Sequence, residues 1–447
     1  MTAKEGSPID IVRPLQKTSR KWYAIAVLCL LVLGAWLVGY YYQLSNGLIV
    51  TGLGDWGSGG GSTWGLYIGS FIWWVGIAHG GIILSAAVRL IGLKRYQPVA
   101  RMAEFLTLFA LMAAGLFILV HVGRPDRLVS SVLLNYQNTV HTSPLAWDLT
   151  VITAYFVLTA TYLGLTLRYD IVKLREYLPN FMSPVYRVMT IGYREDEEEV
   201  MQRMVWWVAL AIIIMAPLLL HGGVIPWLFA VLPNFPGWYG GIMGPTFLSI
   251  ALTSAVAGII VAAYVFRRVY DWYHIVTDEV MRGLTLWLGF FSLMFSWLQL
   301  QQIVTGDWHP TVQTGRALDV LLAEPLYWLS VGSIFVILVG YIFAQAVRPS
   351  IFTPERSLVA SIIVLAATLT EKILFVIEGF DTPAFALYYA IPGSYFPSVI
   401  EMLALLGTIA LVTLAFMIVS KVVPVIELHA VEHHKDESTT AESEVKQ

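Results

Sequence analysis

One cysteine among 447 residues, Cys29, removes several redox classes at once. A single thiol cannot hold an iron–sulfur cluster, attach a c-type haem or close an internal disulfide. Charge is scarce too, with 13% of residues Asp, Glu, Lys or Arg against 57% hydrophobic. At a mean hydropathy of +0.70, too few polar side chains exist to clothe a soluble globule of this length. No Gly-Lys-Ser/Thr follows the glycine run after Asp55-Trp56, so the loop over 45–65 is not a nucleotide-phosphate cradle. The net charge of −3 says little, since here the placement of charge matters and its sum does not, and no nucleic-acid partner is expected.

Long apolar runs are what the chain has instead. They fall near 22–44, 66–89, 102–121, 147–168, 206–231, 242–266, 283–304, 325–346, 357–378 and 398–420. Each approaches the ~20 residues that cross a hydrocarbon core about 30 Å thick. The basic residues alternate around them. Lys4, Arg13, Lys17, Arg20 and Lys21 precede the first run, and Lys94, Arg95 and Arg101 follow the second. Arg168, Lys173, Arg175, Arg187, Arg194 and Arg203 follow the fourth, Arg267, Arg268 and Arg282 the sixth. Arg348 and Arg356 follow the eighth, and Lys421, Lys435 and Lys446 the tenth. The other side holds only Arg124, Arg127 and Arg316. The excess of Lys and Arg on cytoplasmic loops then predicts ten transmembrane helices with both termini cytoplasmic. The basic leader runs into an apolar stretch too long for a signal h-region, so it reads as an anchor. The ends, 1–20 and 429–447, read as loose polar tails. The run Arg194 to Glu199 reads as solvated surface.

Ionisable groups at membrane depth cost about 2.5–3.5 kcal/mol each on insertion scales, so each needs a reason. His121, Asp148, His221, Glu371, Lys372, Glu378 and Glu401 map to the outer ends of their stretches, with Gln299, Gln301 and Gln302. Glu104 and His79 map to the inner half. This outward bias argues against alternating access, which places binding groups near the midplane. Three segments stand out. His121-Val122-Gly123-Arg124-Pro125 ends the third stretch, since Gly and Pro stop a helix. Ser143-Pro144-Leu145-Ala146-Trp147-Asp148 opens the fourth, with Ser143 as cap and Asp148 near the positive end of the helix dipole. Tyr155 follows on the same face two turns deeper. Gly76-Ile77-Ala78-His79-Gly80-Gly81 brings small residues to the second, where another helix or a flat ligand can approach.

An imidazole and a carboxylate at one membrane face suit a quinone, whose two carbonyl oxygens exchange two electrons and two protons. The plainer alternatives are that His121 and Asp148 pair with each other or with Arg124, and that His79 is a packed core histidine. His221, before Gly222-Gly223 and Pro226, also fits a kink. Glu371 and Lys372 also fit an internal ion pair, and Glu104 with His79 and His221 a proton path. Three intramembrane histidines at unequal depths do not furnish the axial ligands of two haems, so no haem is expected.

These motifs, with Trp64-Gly65, make the chain resemble the NrfD/PsrC superfamily, the polysulfide reductase-like membrane subunits that work with quinones. The length is similar to the long ten-helix branch, the alternative complex III membrane subunits and the DsrP/HmeB type. Gly47 to Leu53, Glu371-Lys372, Tyr388-Tyr389 and Pro397 look more like the latter. The resemblance implies two side-by-side four-helix bundles, over 66–231 and 242–378. A first helix with its outer loop over 22–65 and a tenth at 398–420 flank them, with cytoplasmic tails 1–21 and 421–447. It implies a respiratory subunit of the inner (cytoplasmic) membrane, not catalytic alone, that exchanges electrons between menaquinone or ubiquinone and another protein. The expected partner is a ferredoxin-like iron–sulfur subunit on the extracytoplasmic face, with a cytochrome c or molybdenum enzyme beyond it. No haem or cluster is expected in this chain. The implied quinone residues are His121 and Asp148, with Arg124, Tyr155 and His79 beside them. In the alternative complex III type an acid follows the histidine of the fifth helix; here Ile225-Pro226-Trp227 stands there. A solute or ion transporter and a purely structural anchor are the rival readings.

Overall fold

A computed structural model describes residues 8–16, 18–53, 64–194, 198–219, 225–232, 235–238, 240–308, 311–382 and 395–430. Every long element is a helix. We label them α1 (Arg20–Asn46), α2 (Leu66–Leu90), α3 (Gln97–His121), α4 (Pro144–Lys173) and α5 (Glu198–Leu219). Then come α6 (Met243–Tyr270), α7 (Asp278–Asp307), α8 (Pro325–Ile337), α9 (Pro354–Asp381) and α10 (Val399–Val419). α8 runs on through a wider π turn at Leu338–Phe343 into Ala344–Val347. No strand occurs among the described residues. Nine of these helices are long and apolar enough to cross a membrane, α5 being the exception among the described residues. Within the apolar stretch over 206–231 the described residues form the second half of α5 and the helical turns Ile225–Ala230, in whose first turn Pro226 fits. His221 lies between them, outside the described residues.

α2 is the axis of the molecule. In an apolar eighteen-residue window 83% of α2 is buried, against 22% for α1, so α2 is enclosed by its own chain and α1 is mostly exposed. With no hydrophobic drive between helices in lipid, close van der Waals approach must hold α2 in place. Its glycines permit that approach. A Cβ on Gly80 would sit 2.4 Å from the Ala255 Cβ of α6, and one on Gly81 would sit 2.7 Å from the Thr107 Oγ1 of α3. α2 packs on α3 and α5, and α4 joins α3 to α5. α6 packs on α7 and α9, α8 lies between α9 and α7, and the two rings meet where α2 touches α6 and α9. α1 and α10 pair outside, with α10 against α3.

Parts of the ends expected to be loose, Asp10 to Val12 and His429-Ala430, are packed, as is the chain just before the latter. Asp10, Ile11 and Val12 are buried, and Trp272 Nε1 donates to the Asp10 carbonyl at 2.9 Å. Val425 and Ile426 are fully buried as the chain after α10 passes under the bundle. Glu198 begins α5 and contacts His429 at 2.9 Å, so part of the acidic run holds this segment as well. Glu195, Asp196 and Glu197 lie outside the described residues. A short helix at Val312–Ala323 covers the loop between α7 and α8, with Thr311 as its N-cap.

Candidate functional site

α3 stops where its sequence says it should. Gly123 turns to a left-handed φ of 69° and Pro125 follows, so the helix ends at His121. The His121 imidazole sits at this end with Nδ1 buried and without a hydrogen-bond partner among the described residues. Arg124 does not turn back to it. It chelates Asp126 at 2.9 and 2.8 Å on the surface, and those bonds hold the Asp126 carboxyl below its ordinary range.

α4 begins at the same end. Ser143 takes the extended cap position and Pro144 the first turn, but the Ser143 side chain makes no capping bond. Trp147 Nε1 donates to the Val140 carbonyl at 2.6 Å and fixes the first turn instead. That sets Asp148 inward, 3% exposed, and it has neither hydrogen bond nor ion pair among the described residues. His121 and Asp148 therefore satisfy neither each other nor Arg124. The pairing alternative is not what the fold shows.

Below Asp148, α4 presents Tyr155, Thr159, Tyr162, Thr166 and Asp170, spaced at three and four residues along one face. All but Thr166 are almost wholly buried. The Tyr155 hydroxyl has no partner among the described residues, and its ring lies 5.9 Å from that of His79 at 29°. His79 is fully buried on α2, so the structure brings two of the candidates together across the α2–α4 contact.

The far end of this face holds a second polar centre. Glu104 accepts from Ser85 Oγ at 2.7 Å and from Thr166 Oγ1 at 3.2 Å, and Arg89 approaches it at 3.4 Å. Arg89 also pairs with Glu427, and Arg101 with Asp170. Arg101 Nη2 donates to the Thr166 carbonyl at 2.8 Å. A cavity of about 260 Å³ opens beside them, lined among others by Arg89, Arg101, Asp170, Gln202, Glu427 and His429. From the sequence Arg101 counts only as a loop charge, and Arg89, Asp170 and Glu427 do not stand out at all. The spacing of Arg101, Glu104 and Thr107 along one face of α3 is the signal that they belong together. The polar chemistry is thus not confined to one membrane side. Among the described residues no group of three His, Cys, Asp or Glu side chains is arranged to hold a metal ion.

Glu401 is structural. Its carboxylate accepts from the Gly52 and Ser398 amides at 2.7 and 2.8 Å and from the Tyr395 hydroxyl at 2.7 Å, closing a capping box on α10. Burial and then the adjacent carboxylate raise the Tyr395 phenol above its ordinary value, so it stays a donor.

The chain as a whole is similar to known proteins. A family model described as polysulphide reductase, NrfD matches residues 57–384. The chain is 32% identical over 250 residues to a putative dimethyl sulfoxide reductase membrane subunit of Halobacterium salinarum. That match covers 56% of this chain and 52% of the relative, so the chain spans about half of that protein. A selenate reductase subunit of Mesobacillus selenatarsenatis is 23% identical over 92% of this chain and 96% of its own. An Hdr-like menaquinol oxidoreductase integral membrane subunit of Archaeoglobus fulgidus is 23% identical over 95% and 99%. With its spanning helices and a match over most of its length, the chain is a multi-pass integral membrane protein of the NrfD family.

Proposed function

We propose that this chain supplies the quinone half-reaction of a membrane oxidoreductase complex. Quinol oxidation releases two electrons and two protons, and reduction takes them up. His121 and Asp148 hydrogen-bond the two oxygens, and the carboxylate and imidazole accept or return the protons. Tyr155, with His79 against its ring, forms the floor, and Arg124, paired with Asp126, stands at the entrance. The helices α2–α5 hold this site, and α6–α9 form the second bundle. Glu104 and His79, with His221, carry protons toward the opposite end. The electrons pass to or from a ferredoxin-like iron–sulfur subunit on the extracytoplasmic face and redox subunits beyond it. Menaquinone is the favoured substrate, since one relative matched end to end is named for menaquinol.

One observation carries the reading: a buried carboxylate and an imidazole at one bundle end bind nothing in their own chain among the described residues. Each such group is expensive in a membrane, which points to a ligand that comes and goes. A quinone analogue is expected to bind the full chain in lipid, and His121→Ala to abolish that binding. Unchanged quinone-linked turnover of the complex in both His121→Ala and Asp148→Ala would leave only an anchoring role. The polar groups at both ends of α4 favour ion transport as the second reading, and ion flux through the chain alone in liposomes would establish it.

A further inference from the structure

The second helix ring carries a buried charge cluster that the proposed quinone site does not use. Lys372 on α9 is 2% exposed, and its Nζ lies 3.1 Å from Glu371 Oε2. The same Nζ stands 3.6 Å from the centre of the Phe247 ring and 5.6 Å from that of Phe375. Glu378 follows Glu371 by seven residues on one face of α9 and is also buried. Tyr327 of α8 lies near both carboxylates, 2% exposed, with no hydrogen-bond partner for its hydroxyl among the described residues. Lys372 also lines a cavity of about 10 Å³ with Ser254, Thr368, Trp73 and Gly76. That is the size of one water, and its walls offer hydroxyls for it.

A buried lysine kept only for structure would have its ammonium surrounded by acceptors. Here the ammonium has one carboxylate oxygen at ion-pair distance but not in hydrogen-bond alignment, two aromatic faces and a water-sized space. The ring faces favour the cation without binding its protons, and burying such a pair is seldom the most stabilising use of the position. Intramembrane ionisable groups of this kind mark ion and proton paths.

We propose that Lys372 and Glu371 form a proton-exchange site inside the second ring. Rotation of the ammonium aims an N–H at Oε2, 3.1 Å away, and the proton then moves from Nζ to Oε2, which breaks an N–H bond, makes an O–H bond and leaves both groups neutral. Tyr327 and Glu378 continue the path toward the C-terminal end of α9, and the small cavity brings water from the α2 side. The site is independent of the quinone reading, since it involves neither His121 nor Asp148.

Dicyclohexylcarbodiimide tests it, because this apolar reagent adds to protonated carboxyl groups and spares carboxylates. The full chain in lipid vesicles is treated at neutral pH and mapped by mass spectrometry, as wild type, Lys372→Arg and Lys372→Leu. Wild type is expected to carry the adduct on Glu371. Lys372→Arg keeps the charge but cannot release its proton, so labelling should fall about ten-fold or more. Lys372→Leu should label more than wild type. An unlabelled Glu371 in wild type, or equal labelling in wild type and Lys372→Arg, overturns the proposal. If the leucine variant does not fold, the charge-conserving comparison alone decides.

Discussion

Removing Arg101 tests whether the polar centre at the far end of α4 is a true buried ion pair. Its side chain and that of Asp170 are 1% and 2% exposed, so water does not screen them. Arg101→Met would leave Asp170 with only long contacts of 3.4 Å from the Leu428 amide. Glu104 and Glu427 would also lose a neighbouring cation. An orphaned buried charge of this kind costs about 3–5 kcal/mol, whereas an apolar replacement of the whole pair is often neutral. Asp170→Leu alone should also destabilise, though less, because Arg101 loses its carboxylate partner and keeps only the Thr166 carbonyl at 2.8 Å and Glu427 at 3.9 Å. The double variant should therefore be more stable than either single one, with a coupling of about 2 kcal/mol or more in the cycle. The assay is denaturation of the full chain in mixed micelles by rising sodium dodecyl sulfate. Additive losses in the double variant would refute the pairing.

Gly80→Leu should separate α2 from α6, since even a Cβ there meets Ala255 at 2.4 Å; overpacking of this kind costs about 1–3 kcal/mol in the same denaturation assay. Glu401→Ala removes acceptors for two amides and a hydroxyl, and should destabilise the α10 start by about 3 kcal/mol. Proteolysis of the 395–401 segment should speed up accordingly. Tyr155→Phe should leave denaturation within about 1 kcal/mol of wild type, because its hydroxyl bonds nothing among the described residues. Its loss should appear instead as weaker quinone-analogue binding.

The helical architecture was legible because apolar length and charge alternation are properties of the chain alone. The end of α3 was legible too, since Gly123 and Pro125 admit few conformations. Faces were harder to read than depths. Asp170 and Arg89 fall in the last turns of α4 and α2, where nothing local distinguishes a loop charge from one turned inward. Glu427 lies after the last helix, and only the fold shows the chain crossing back to reach Arg89. Ser143 has the residue type and backbone of a cap, yet the Trp147 indole bond governs that turn. The packed ends over 8–16 and 421–430 are harder to read, because apolar runs this short are no longer than those of exposed loops, and only the fold shows what covers them.

The most direct test of the quinone assignment is covalent capture. A photoreactive menaquinone analogue is irradiated with the full chain in lipid vesicles and the adducts are mapped by mass spectrometry. The assignment predicts adducts on the end of α3 and the first three turns of α4, around His121, Asp148 and Tyr155, displaced by excess menaquinone. Adducts confined to the cavity beside Arg89 and Glu427, or to the lipid-facing side of α1, would contradict it.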